Sequence, residues 1–235
     1  MKKIAILAAA LLTSISCTDK IEGEGEIITL QSDVKSSANE ISVSNAITLK
    51  LSDQMQPGEI SISAYENIHQ YIIISNESDE LTIELESGNY KDLYVEVVAS
   101  SMQYNDIEAS GASNITIIGE AASFGNYSLE LSGASEFSGD LAITDLLSID
   151  LSGASNVNIS GSAAHCEAEL SGASGLYDSS FSCNTLDVDM SGASKIQMSV
   201  SESISGEMSG ASSLKYKGSP TVSVETSGAS TVGSI

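Results

Sequence analysis

Leu170-Ser171-Gly172-Ala173-Ser174-Gly175-Leu176 contains one copy of a tetrapeptide from which the architecture can be read. Ser-Gly-Ala-Ser begins at Ser110, Ser132, Ser152, Ser171, Ser191, Ser209 and Ser227, at successive intervals of 22, 20, 19, 20, 18 and 18 residues. A unit returning at that interval is one coil of a stacked repeat, not a linker. On each side of the tetrapeptide, apolar residues alternate. Leu129 and Leu131, Ile149 and Leu151, Ala168 and Leu170, and Val188 and Met190 precede it. Ile115, Phe137, Val157, Leu176, Ile196, Leu214 and Val232 follow it. Residues between them are polar: Glu130, Asp150, Glu169, Asp189 and Glu207 before, and Thr116, Asn158, Gln197 and Lys215 after. Period-two alternation on both sides of a fixed point means strand, corner, strand.

The corner residues suit a sharp bend. Gly111, Gly133, Gly153, Gly172, Gly192, Gly210 and Gly228 are the repeat corners, where positive φ costs glycine nothing. Ala is small enough to turn inward where coils stack closely, and the Ser hydroxyls can satisfy backbone groups that the bend leaves unpaired. A coil of 18–22 residues holds three short strands plus corners. The chain therefore reads as all-β: a right-handed parallel β-helix, a three-faced β-solenoid. Other repeats of similar period lack support. The leucine-rich frame and the Gly-Gly-x-Gly-x-Asp nonapeptide are absent, and apolar spacing is too irregular for hexapeptide coils.

The N-terminus reads as a secretory signal. Met1-Lys2-Lys3 is followed by an apolar run from Ile4 to Leu12 and by Thr13-Ser14-Ile15-Ser16-Cys17. This predicts a lipoprotein signal peptide over 1–16, with lipidation at Cys17, although Ser14 stands where an aliphatic residue is usual. Residues 17–26 read as a lipid-anchored tether, 27–108 as irregular N-terminal β coils, and 109–235 as the regular repeat. A separate small β-domain over 27–108 is the alternative. The implied localisation is the outer membrane of a Gram-negative envelope, on either its surface or its periplasmic side.

Composition narrows the function. The chain carries 32 acidic residues, 9 Lys and Arg together, and a net charge of −23; all the basic residues are lysine. Such a surface opposes nucleic acid and anionic headgroups. Its simplest reading is a solvated exterior. Acidic ladders that collect divalent cations are a sharper reading, but no Asp-rich loop has ligand spacing. Cys166 and Cys183 lie nearly one coil apart. Cys166 shares inward parity with Leu170, Cys183 does not share it with Val188, and two thiols are expected rather than a disulfide.

Chemistry is hard to find. The recurring Glu and Asp positions form a row common to every coil, not a singular catalytic pair. His69 and His165 have no Cys or carboxylate at metal spacing. There is no Gly-x-Ser-x-Gly elbow and no phosphate-binding loop. Most tyrosines are expected to fill or flank strands, though some could form a sugar-stacking platform. No catalytic residue, cofactor or metal ligand is assigned.

Gly23-Glu24-Gly25-Glu26-Ile27, the strand-rich half, the repeated corners and Lys215-Tyr216-Lys217-Gly218-Ser219-Pro220 together resemble the "putative auto-transporter adhesin, head GIN domain" family. The resemblance spans roughly Glu22 to Ser234. It implies a secreted or lipid-anchored envelope β-helix without a family set of catalytic residues. The leading expectation is a non-enzymatic, adhesin-like lipoprotein. It would be held to the membrane by its lipid and present a rigid face to a glycan, matrix or protein ligand. A periplasm-facing structural or sensory module and a polysaccharide-active enzyme are the alternatives.

Overall fold

The computed structural model describes residues 20–77 and 79–235; the signal segment 1–16 and Cys17 fall outside the described residues. The all-β, three-faced parallel solenoid expected from the repeat is present. In one coil its faces are separate strands: Asn114–Ile118 after a corner, then Ala122–Phe124, then Tyr127–Leu131 before the next corner. In later coils all three merge, as in Asn156–Leu170 and Gly175–Met190, and each coil pairs in parallel with its predecessor. We call the face entering each corner the leading face and the one leaving it the trailing face.

The alternating apolar residues meet inside the coil. Leu129, Leu131, Ile149, Leu151, Leu170 and Met190 on the leading face are buried with Phe137, Val157, Leu176 and Ile196 on the trailing face. Each such Leu or Ile contributes about 1.5–3 kcal/mol by leaving water. The buried side chains form one continuous core from Ala38 to Leu214, so residues 27–108 share core and sheet with the repeat.

At the corners, all seven glycines adopt φ between +70° and +78°. The coils touch there: a Cβ on Gly172 would stand 2.4 Å from the Gly153 carbonyl oxygen. The Ala amide completes the stack, with the N–H of Ala154, Ala173 and Ala193 donating to the Gly133, Gly153 and Gly172 carbonyls at 2.7–2.8 Å. The expectation that Ala turns inward is corrected. Every corner Ala is exposed, and in all but the last corner the second Ser is the buried side chain. Its hydroxyl donates to the carbonyl of the first Ser, as from Ser135 to Ser132 and from Ser155 to Ser152, both at 2.9 Å. A buried hydroxyl needs such a partner, and at every corner but that of Ser194 this position supplies one three residues back.

The N-terminal half departs from simple winding. Glu40–Val43 and Thr48–Ser52 form a coil lying between the coil of Glu80–Leu85 with Val95–Ser100 and the coil of Asp106–Ala109 with Asn114–Ile118. Stacking order and chain order therefore differ. The corner of this coil is Ser44-Asn45-Ala46-Ile47, where Asn45 and Ala46 take φ of +66° and +62°. Asn is among the few side chains that tolerate that region. Beyond the Glu80–Ser100 coil the sheet turns antiparallel. Glu59–Tyr65 pairs with Val95–Ser100, Ile27–Asp33 pairs with Glu59–Tyr65, and Ile72–Glu77 folds back on Glu80–Leu85.

Candidate functional site: an acidic ladder on the leading face

Register turns the outward acidic position of each coil into a line. Glu108 faces Glu130, which faces Asp150, followed by Glu169, Asp189, Glu207 and Glu225. Seven carboxylates at the ~4.8 Å strand spacing extend over roughly 29 Å. Two residues back along each strand runs a second row, in which Glu167 faces Asp187 and the Ser205 hydroxyl donates to Asp187 at 2.7 Å. Shallow grooves follow the ladder, between the carboxylates and the first Ser of each corner. One is lined by Asp150, Glu169, Asp189, Ser171 and Ser191, and the next by Asp189, Glu207, Glu225, Ser209 and Ser227.

No lysine lies on the leading-face strands. Lys195, Lys215 and Lys217 lie on the trailing face. Lys50, also trailing, pairs with Glu96 at 2.7 Å, and Lys91 near the N-terminal end pairs with Glu22 at 2.8 Å. Lysine is thus kept off the leading face, although carboxylates such as Glu96 and Glu136 lie on the trailing face as well.

Three carboxylates converge at the N-terminal end of this face. Glu40, Glu80 and Glu108, distant in the chain, bring carboxylate oxygens within 4.8 Å of one another. Burial holds the Glu40 carboxyl above its usual range, aided by Glu80, Glu108 and Asp106. Burial also raises Glu108, aided by Glu130, Glu80 and Asp106. Three such oxygens are the donor type a hard cation takes. The sequence search looked for ligands within one loop and missed this trio; stacking, not local spacing, assembles it.

The remaining candidates are dispersed. His69 Nε2 lies 3.0 Å from the Ile28 carbonyl, and His165 Nδ1 lies 2.8 Å from the Thr185 hydroxyl. Neither faces a carboxylate ligand set. Tyr104 and Tyr127 are buried, and burial pushes the Tyr104 phenol up to about 12. Tyr65, Tyr71, Tyr90 and Tyr216 pack against the core, which leaves Tyr94 and Tyr177 as the exposed rings. The tyrosines therefore form no single platform among the described residues. Cys166 and Cys183 are free thiols, both buried. Parity placed Cys183 outward. Two residues that are not buried, Asn184 and Thr185, separate Cys183 from Leu186, as Ala164 and His165 separate Ala163 from Cys166 in the preceding coil, and this bend resets the alternation and leaves Cys183 inside.

Comparisons with known proteins agree on fold. An adhesin-described protein of Bacteroides fragilis superposes with a TM-score of 0.80 at 20% identity, covering 92% of this chain and 100% of its own. One from Parabacteroides merdae gives 0.70 at 17% identity, over 92% and 99%. A Parabacteroides distasonis protein described as lipid-binding gives 0.70 at 14% identity, over 92% and 100%. No curated protein matches the chain. The family model described as "Putative auto-transporter adhesin, head GIN domain" matches residues 37–220, most of the described solenoid, and the chain belongs to that family.

Proposed function

We propose that this chain is a non-enzymatic, adhesin-like protein of the cell envelope and that its leading face is the binding surface. The observation that carries this reading is the in-register ladder from Glu108 to Glu225. Its groups recur in every coil from Glu108 to Glu225, so no pair is singled out for catalysis. A rigid row repeating at ~4.8 Å suits an extended ligand that makes many weak contacts. The ligand is a glycan, a matrix component or a protein that brings positive groups to the row. The family and the described neighbours support the adhesin-like role. Cys17 is the proposed lipid attachment point, and the outer membrane the proposed site of anchorage.

The test is binding to a panel of glycans and matrix proteins, measured for the wild type and for a variant carrying Glu130→Gln, Asp150→Asn, Glu169→Gln and Asp189→Asn. The variant should lose most binding, and wild-type binding should weaken as salt rises. Equal binding by both proteins would remove the leading face from consideration. Protease treatment of intact cells gives the orientation. Loss of the protein before lysis supports the adhesin reading, and protection until lysis replaces it with a periplasmic docking role.

A further inference from the structure

Among the described residues, Ile27–Asp33 pairs only with Glu59–Tyr65, and Ile72–Glu77 pairs only with Glu80–Leu85. These two strands are therefore the outermost of the trailing and leading sheets at the N-terminal end. Leu30 faces buried Ile62, and Ile74 faces buried Ile83. Both share the parity of the core, yet they are 50% and 39% exposed, because no further described strand covers them. Ile27 and Ile73, on the other side of the same strands, are exposed as well. The chain enters the fold at this same end. Lys20–Glu22 pairs in parallel with Asn89–Lys91, the Gly23 N–H donates to the Lys91 carbonyl at 3.2 Å, and the Asn67 amide donates to the Glu22 carbonyl at 2.8 Å. Only Thr18 and Asp19 separate Cys17 from Lys20. Three chain steps reach at most about 11 Å, so lipid on Cys17 dictates which end of the solenoid meets the membrane.

We propose that this end is a bilayer-contact surface, on which Ile27, Leu30, Ile73 and Ile74 rest in the interface of a zwitterionic leaflet. The proposal rests on lipid attachment at Cys17. So short a link holds the patch at high effective concentration over the lipid, and a contact too weak to recruit the protein alone is then enough to seat it. Resting the four side chains among acyl chains takes their apolar surface out of water. Glu22, Glu24, Glu26 and Glu66 are exposed at the same end and oppose anionic headgroups, which restricts the leaflet to one without net negative charge. The seated solenoid stands end-on. Its coils stack away from the bilayer, with Glu108 the nearest carboxylate of the ladder and Glu225 the farthest.

The chain contains no tryptophan, so a single one reports its own surroundings. The full chain is produced in a bacterial host that acylates lipoproteins. Intact mass then shows whether Cys17 carries lipid, which tests the anchorage by itself. Protein without lipid is coupled at Cys17 to a maleimide phospholipid, so the contact is read in either case. In phosphatidylcholine vesicles with brominated acyl chains, Leu30→Trp should shift its emission to shorter wavelength and lose most of its intensity to bromine quenching. Val222→Trp, on the outermost strand of the opposite end, should keep its wavelength and its intensity. Ile73→Trp, on the other N-terminal edge strand, repeats the reading if Leu30→Trp fails to fold. Absence of quenching at both N-terminal positions would overturn the proposal. So would equal quenching at the two ends, which means a solenoid lying flat on the membrane. A shift to shorter wavelength that grows with protein concentration without vesicles would also overturn it, by giving the patch to a second copy.

Discussion

The second Ser of each corner carries more of the structure than its exposed neighbours. Ser155 is buried and donates to the Ser152 carbonyl, so Ser155→Ala leaves that carbonyl short of a partner. A loss of about 1 kcal/mol is expected from denaturant melts. Ser194 occupies the same place one coil pair further on, but its buried hydroxyl has no partner among the described residues. Ser194→Ala should therefore cost less than Ser155→Ala and could raise stability; equal losses would show that volume, not the hydrogen bond, sets the cost. The glycines are less forgiving. Gly172 combines φ of +73° with a Cβ position 2.4 Å from the Gly153 oxygen. Gly172→Val should destabilise by about 3 kcal/mol or more, because backbone strain and coil separation add. An unchanged melting temperature would mean that the corner backbone yields freely.

Along the leading-face strands, electrostatics opposes packing. Like charges directly opposite one another in a sheet cost a few tenths to about 1 kcal/mol per pair. The hydrophobic row beneath, with Leu129, Ile149, Ala168 and Val188 buried in line, offsets that repulsion. Glu40 and Glu108 have folded-state pKa values above the ordinary 4.5, burial first and neighbouring carboxylates second. A raised carboxyl pKa means that folding favours the protonated form. The resulting stabilisation is complete below pH 4.5 and is lost as pH rises through the raised folded values. Melting temperature at low salt should therefore be higher at about pH 5 than at about pH 8. Glu108→Gln should raise the value at the higher pH and shrink the difference; a melting curve indifferent to both would place the ladder in effectively bulk solvent. Asp92 works in the opposite sense, since its hydrogen bond to Lys91 holds it below its ordinary value. It is fully exposed, so solvent screens the effect.

At the scale of the molecule, the sequence was legible wherever local pattern and stacking agree. The Ser-Gly-Ala-Ser interval set the coil length, and alternation around Gly133 to Gly210 sorted inside from outside correctly. Alternation carries no strand direction, so the antiparallel pairing of Ile27–Asp33, Glu59–Tyr65 and Ile72–Glu77 was invisible. The Ser44-Asn45-Ala46-Ile47 corner escaped because Asn replaces Gly. Parity also failed at Cys183, where a bend resets the count. The outward acidic row was visible as a recurring position. The Glu40, Glu80 and Glu108 trio was not, since residues 40 and 80 reach Glu108 only through the reordered coils.

That reordering constrains how the chain can assemble in time. Strands 40–43 and 48–52 are complete early in synthesis, yet each lies between partners that come later in the chain, at 80–100 on one side and 106–118 on the other. A ribosome delivering the chain from its N-terminus therefore releases an apolar layer, with Ile41, Val43, Leu49 and Leu51, well before either cover exists. Loop closure must precede the reward of contact, so this end folds late and slowly relative to the sequentially wound repeat. The interval during which those four side chains wait is when the chain is most exposed to aggregation and to proteases, and when a holding chaperone would have most to bind.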